Sequence, residues 1–184
     1  LAGNAGRYRL LARGVVAQGL QARGQTQQDH PQVAREGQQH LADALDLLGR
    51  KTLHTQGAGL KLLLAQIEAY CAAEPNDEFC EALRAAASLW QKVTAEIADK
   101  ATANPNELGA SAMDYLFLSA YVCLAYWWAE SVRVADASGD STQADSKRET
   151  ARFYFARILP RAVMHAACIR SGSGSLMTLD ADLF

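Results

Sequence analysis

The sequence predicts an all-α protein: an antiparallel up-down bundle of about four long helices, preceded by a short helix and a weakly ordered N-terminal arm. Three observations carry this. Apolar residues recur at three- and four-residue steps in the segments after residue 41, the period of an amphipathic helix. Alanine is abundant, and only four prolines occur in 184 residues. Short runs rich in Gly, Pro, Asn, Asp and Ser interrupt the period at 57–59, 75–77, 104–106, 138–141 and 171–175, placed for short turns between antiparallel neighbours.

Residues 1–43 read as the arm. Tyr8, Leu10, Leu11, Val15 and Val16 have the makings of a short helix, but Gly14, Gly19 and Gly24 each cost about 1 kcal/mol inside one. The following stretch to His40 is Gln-rich and polar, without a clean period, and His30 and His40 read as solvated loop histidines. The bundle is assigned to residues 44–184. Its short first helix carries Leu41, Ala44, Leu45, Leu48 and Leu53 on one face, ended by the glycines at 57 and 59. The next helix turns Leu60, Leu63, Leu64, Ile67, Tyr70 and Cys71 inward, and Asn76 or Asp77 offers a side-chain oxygen to the free amides that open the third.

The third segment is the most regular, with Phe79, Leu83, Ala86, Trp90, Val93, Ile97 and Ala101 alternating steps of four and three, a seam suited to left-handed bundles. Pro105 stops it and Asn106 is placed to cap the next helix. The central stretch, Ala112–Ala129, has no charge between Asp114 and Glu130. As a helix those positions span about 22 Å, short of the ~30 Å of a bilayer core, so a buried helix and no membrane span is expected. Met113, Leu116, Phe117, Ala120, Tyr121, Leu124, Trp127 and Trp128 recur at three- and four-residue steps, and Cys123 and Tyr126 widen the stripe beyond a single face, so this helix is expected to be surrounded and the stripe buried. From Thr142 a last helix turns Ala151, Tyr154, Phe155, Ile158, Ala162, Val163, Ala166 and Ile169 inward, bent at Pro160. Leu176, Met177, Leu179, Leu183 and Phe184 form an apolar tail able to dock on the bundle.

A net charge of −2 gives no basic surface for nucleic acid or anionic lipid. The four cysteines, Cys71, Cys80, Cys123 and Cys168, show no CxxC pair and read as reduced, space-filling thiols. That, with no signal-peptide pattern at the N-terminus, predicts a cytoplasmic protein. There is no phosphate loop, HExxH or EF-hand pattern. Neither His54 nor His165 has a Glu three residues before it, so the ligand set of a di-iron bundle is missing and no metal site is expected. His165 reads as a core-edge histidine held by one hydrogen bond, and Ser171, Ser173 and Ser175 as a flexible helix terminator.

Three stretches together resemble a known family: ALDLLGRKTL at 44–53, the Asp114-Tyr115-Leu116 run ending in YWWA, and ARFYFARILPRAVMHAACIRSGSGSLMTLDADLF at 151–184. They are similar to the C-terminal extension of acyl-CoA dehydrogenases, in the subgroup that includes 3-methylmercaptopropionyl-CoA dehydrogenase. The resemblance implies an FAD enzyme that oxidises an acyl-CoA thioester to the 2-enoyl-CoA and passes electrons to an electron-transfer flavoprotein. In that family a glutamate of a Tyr-Glu-Gly-Thr run takes the alpha proton; here Glu36-Gly37 stands in the corresponding region without the Tyr or the Thr. The resemblance thus offers Glu36 as the catalytic base. It also implies that most of the enzyme lies in other domains, that this piece packs against them and against a further subunit, and that the piece alone binds no FAD and is inactive. A chain starting at Leu1 rather than Met, with its resemblance starting at 44, is expected to be the tail of a longer enzyme. The alternative is a stand-alone helical interaction module without catalytic activity.

Overall fold

The structure, a computed structural model, describes the backbone of residues 30–177 and the side chains of residues 37–176. The chain divides into two compact units, Leu1–His40 and Leu41–Phe184. The proposed short helix around Tyr8 to Val16 and the apolar tail beyond Met177 lie outside the described residues. Among the described residues every regular element is a helix. They are α1 (His30–Leu45, continued by a π-helical run Asp46–Leu53), α2 (Ala58–Ala73), α3 (Cys80–Ala103), α4 (Asn106–Ala137), α5 (Ser141–Arg157), α6 (Arg161–Ser171) and the single turn α7 (Gly174–Met177).

The arm differs from expectation at its C-terminal end, where residues from His30 onward are helical. Pro31 sits in the first turn, where its missing amide costs no helical hydrogen bond. Ala34, Gln38, Gln39, Ala42 and Ala44 have high intrinsic propensity, so a segment without a clean apolar stripe still forms helix. From Asp46 the helix widens: the amide of His54 donates to Gly49 O at 2.9 Å and that of Gly57 to Thr52 O at 2.8 Å. The Thr52 hydroxyl donates to Leu47 O at 2.8 Å, an added in-helix bond of the same five-residue reach. Gly57, at φ 72°, takes the left-handed turn into α2.

The α2–α3 turn is closed by Asp77, which accepts from the Phe79 amide at 2.7 Å and from the Tyr70 hydroxyl at 2.6 Å. In α3 the buried residues are Leu83, Ala86, Ala87, Trp90, Val93, Thr94 and Ile97, with Cys80, the seam expected from the spacing. Asn104 is extended, and its own side chain, rather than that of Asn106, takes the first free amide, from Asn106 at 3.1 Å. Asp140 caps α5 through the Gln143 amide at 3.0 Å.

α4 packs against the π-helical run that ends α1 and against α3, α5 and α6, and α2 packs against α3. Tyr115 of α4 packs its ring on Trp90 and its hydroxyl lies 3.0 Å from Thr94 Oγ1, both in α3. Three contacts run down the other side in reversed order, Arg148 to Asp136, Tyr154 to Tyr121 O and His165 to Asp114, which makes α5 and α6 antiparallel to α4. The last helix is not one bent rod. Pro160 lacks the amide that would bond back to Ala156, and the chain stops at Arg157, turns through Ile158–Pro160 and restarts at Arg161. Leu159 N reaches back to Tyr154 O at 3.0 Å, and the amides of Arg161, Ala162 and Val163 bond three residues back. On either side of the break Tyr154, Leu159, Ala162, Ala166 and Ile169 are buried, whereas Val163, expected inward, is exposed.

The inner face of α4 is the largest correction. Buried are Ser111, Ala112, Tyr115, Leu118, Ser119, Val122, Ala125, Tyr126, Ala129, Val132 and Ala135. Of the stripe expected inside, only Tyr126 is buried. Met113, Leu116, Tyr121, Cys123 and Trp128 are half-buried at its margins, and Phe117, Leu124 and Trp127 are exposed. Small residues let the backbones of surrounding helices come close to a helix enclosed on several sides, so the bulky set is displaced outward. By length and composition α4, with a mean hydropathy of 1.4 over its most apolar window, is long and apolar enough to cross a membrane. A core helix passes the same test, and the inner face of α4 is closed over by its neighbours.

Candidate functional site

The outer face of α4 is the most distinctive surface of the bundle. Met113, Phe117, Ala120, Leu124, Trp127, Ser131 and Val134 succeed one another at alternating steps of four and three, a strict heptad seam. Phe117 is 44 %, Leu124 48 %, Trp127 60 % and Val134 59 % exposed. The charges at its edges are already partnered within the bundle: Asp114 meets His165, and Glu130 accepts from Arg133 at 2.7 Å. A largely apolar strip whose bordering carboxylates both have partners is a common mark of a contact surface.

One edge of the strip holds a pair that the sequence does not juxtapose. His165 Nδ1 lies 2.7 Å from Asp114 Oδ1, and its ring stacks on Phe117 at 5.2 Å and Tyr121 at 5.6 Å. The carboxylate orients the imidazole and, in the neutral ring, leaves Nε2 as the acceptor. An oriented imidazole is half of a nucleophile–base arrangement, but the serines nearest in sequence are engaged elsewhere. Ser171 donates to Cys168 O at 2.6 Å and Ser173 to Glu107 Oε1 at 2.6 Å. The dyad therefore acts as a clamp between α4 and α6, the core-edge role read from the sequence. Asp114 and His165 lie fifty-one positions apart. The available signals were a lone charge heading the uncharged run and a histidine beside the Ala162, Ala166, Ile169 face.

Ser173 also ties the end of α6 to the start of α4. Its amide donates to Glu107 Oε1 at 3.0 Å, and Asn104 Nδ2 donates to its hydroxyl at 3.0 Å. The Ser173 hydroxyl and amide hold the Glu107 carboxyl below the usual glutamate range. Burial raises the Tyr154 hydroxyl to about 12, consistent with its role as a donor to Tyr121 O at 2.9 Å. Cys71 and Cys80 are buried and Cys168 is exposed, all as free thiols. Burial, with the neighbouring Cys71, pushes the Cys80 thiol up to about 12.

Glu36 lies on α1, and its side chain is outside the described residues. Among the described residues no three His, Cys, Asp or Glu side chains converge as metal ligands. A flavin dinucleotide needs an enclosed cleft with several donors aimed at its pyrophosphate. Two grooves among the described residues are open rather than enclosed. The most apolar, of about 390 Å³, runs between the π-helical end of α1, α2 and α3 over Leu53, Leu60 and Leu64, with Lys61 its one cation. A second, of about 360 Å³, lies between α4 and α5 beside Trp127, with Lys147 its one cation. Both are open to solvent.

Among curated proteins no relative matches the chain. A family model described as "Acetyl-CoA dehydrogenase C-terminal like" matches residues 63–180, from the middle of α2 through the end of the bundle. That span covers nearly two thirds of the sequence and all of α4 with both its faces. The chain therefore belongs to the acetyl-CoA dehydrogenase C-terminal-like family.

Proposed function

We propose that the chain is the C-terminal helical domain, and thus a fragment, of an FAD-dependent acyl-CoA dehydrogenase, and that its part in that enzyme is packing and assembly. Family membership over residues 63–180 is the observation that carries this reading. In it, the parent enzyme oxidises an acyl-CoA thioester to the 2-enoyl-CoA in the cytoplasm and hands electrons to an electron-transfer flavoprotein. The motifs at 151–184 favour the 3-methylmercaptopropionyl-CoA dehydrogenase-like subgroup. In this reading the flavin is held by the other domains of the parent enzyme, and the described residues of the bundle supply a scaffold and an apolar face. Glu36 is the base that the resemblance offers.

The exposed strip on α4 favours the second reading, a free-standing interaction module, as readily as the first. Reading the DNA upstream of codon 44 in all three frames separates them: dehydrogenase-coding sequence is expected, and its absence overturns the fragment reading. Purified chain is expected to show no flavin absorbance near about 450 nm and no oxidation of acyl-CoA. Flavin-loaded, active protein would overturn the assembly-only role.

A further inference from the structure

Two of the four cysteines flank a single turn. Cys71 lies in the last turn of α2 and Cys80 opens α3, nine positions further on. Both are free thiols, Cys71 1 % and Cys80 4 % exposed. The Cys71 thiol donates to Cys80 O at 3.8 Å and the Cys80 thiol to Glu74 O at 3.5 Å, so each sulfur leans across the turn toward the other strand of the hairpin. The two sulfurs are also within hydrogen-bonding reach of each other. A disulfide asks for two cysteines whose side chains already converge, and this turn supplies them. We propose that Cys71 and Cys80 are a redox pair, closed to a disulfide by hydrogen peroxide and reopened by a thiol reductant, that ties the end of α2 to the start of α3.

One thiol loses its proton and its sulfur attacks the peroxide O–O bond, giving a sulfenic acid and, with that proton, one water. The second sulfur gives up its own proton and displaces the sulfenic oxygen, so that the S–S bond forms and a second water leaves. Two thiols and one hydrogen peroxide thus yield one disulfide and two waters; the sulfurs lose two electrons and the peroxide oxygens gain them. Burial pushes the Cys80 thiol up to about 12, which keeps the pair inert while the turn is closed. The first step therefore waits on opening of the turn, and Asp77 holds the turn closed by accepting from the Phe79 amide at 2.7 Å and the Tyr70 hydroxyl at 2.6 Å. α2 packs chiefly on α3, and the ion pair of Glu68 with Arg84 between them is exposed. A covalent tie at the turn thus governs how readily α2 parts from α3.

Mass spectrometry of the full chain after exposure to hydrogen peroxide reads this directly, in a Cys123→Ser, Cys168→Ser background and, by peptide mapping, in the unsubstituted chain. The expected result is a loss of about two mass units, a peptide joining Cys71 to Cys80 after digestion without reductant, a chain that stays at 19.9 kDa on a non-reducing gel, and full reversal by dithiothreitol. The urea midpoint should rise by about 1 M on oxidation, as expected for a bond closing a short loop, and neither Cys71→Ser nor Cys80→Ser should show the joined peptide or the rise. Asp77→Ala should speed the joining severalfold at the same peroxide concentration, with an unchanged circular dichroism spectrum. A chain that keeps both thiols, or that gains oxygen at either sulfur with no joined peptide, overturns the pair. Equal rates with and without Asp77→Ala overturn the control of the pair by the turn.

Discussion

Replacing one leucine on each face of α4 measures which face is the core. Leu118 is fully buried, whereas Leu124 is 48 % exposed. Leu118→Ala removes buried carbons and leaves a hole, a change that costs about 3–5 kcal/mol in a close-packed interior. At Leu124 roughly half the side chain is already in water, and no enclosed hole forms, so the cost is about 1 kcal/mol or less. With a urea slope of about 2 kcal/mol/M for a domain of this size, the midpoint should fall by about 1.5–2.5 M for Leu118→Ala and by about 0.5 M or less for Leu124→Ala. The assay is urea unfolding followed by circular dichroism. Equal losses, or a larger loss at Leu124, would refute the assignment of the faces and return the core to the bulky stripe.

The same geometry gives three further outcomes. The Glu107 carboxyl is depressed by Ser173, so its contribution is fully present above the ordinary glutamate value, near about pH 4.3, and lost as pH falls through the lower folded value; Glu107→Gln should flatten part of the acid limb in urea midpoints measured across that range. In native protein at pH 8 a thiol reagent should modify exposed Cys168 first and leave buried Cys71 and Cys80 untouched until denaturant is added; thiol counting with and without Cys168→Ser checks this. Tyr115→Phe removes the buried contact with Thr94 Oγ1 at 3.0 Å and should lower stability by about 1 kcal/mol in the same urea assay, with the helical content of the folded protein unchanged.

The helices and turns from Ala58 to Ala137 were legible because their signals are local. Leu83, Trp90, Val93 and Ile97 repeat on one face with polar residues between them, so period and polarity agree, and all four are buried. In α4 the same arithmetic fails. Both faces between Asp114 and Glu130 are apolar, so periodicity finds a stripe but carries no label for inside and outside; size was the missing clue, since Ala112, Ser119, Ala125 and Ala129 occupy the enclosed face. At α1 the polar stretch after His30 hid helix behind composition. At Pro160 the apolar period ran through a real break: Tyr154 before it and Ala162, Ala166 and Ile169 after it are buried, while Val163, which the same period put inside, is exposed. The dyad of Asp114 and His165 was out of reach, as it depends on how α6 lies along α4.

The alanine-lined face of α4 also turns upside down the ordinary expectation about which positions evolution can explore. Enlarging Ala125 or Ala129 by even a few carbons would push neighbouring rods apart, at about 1–3 kcal/mol each, so the plainest residues of the helix are the ones least free to drift. The tryptophan and phenylalanine that catch the eye can be exchanged with little harm to the fold itself, and selection at those places answers to what the helix touches beyond its own bundle.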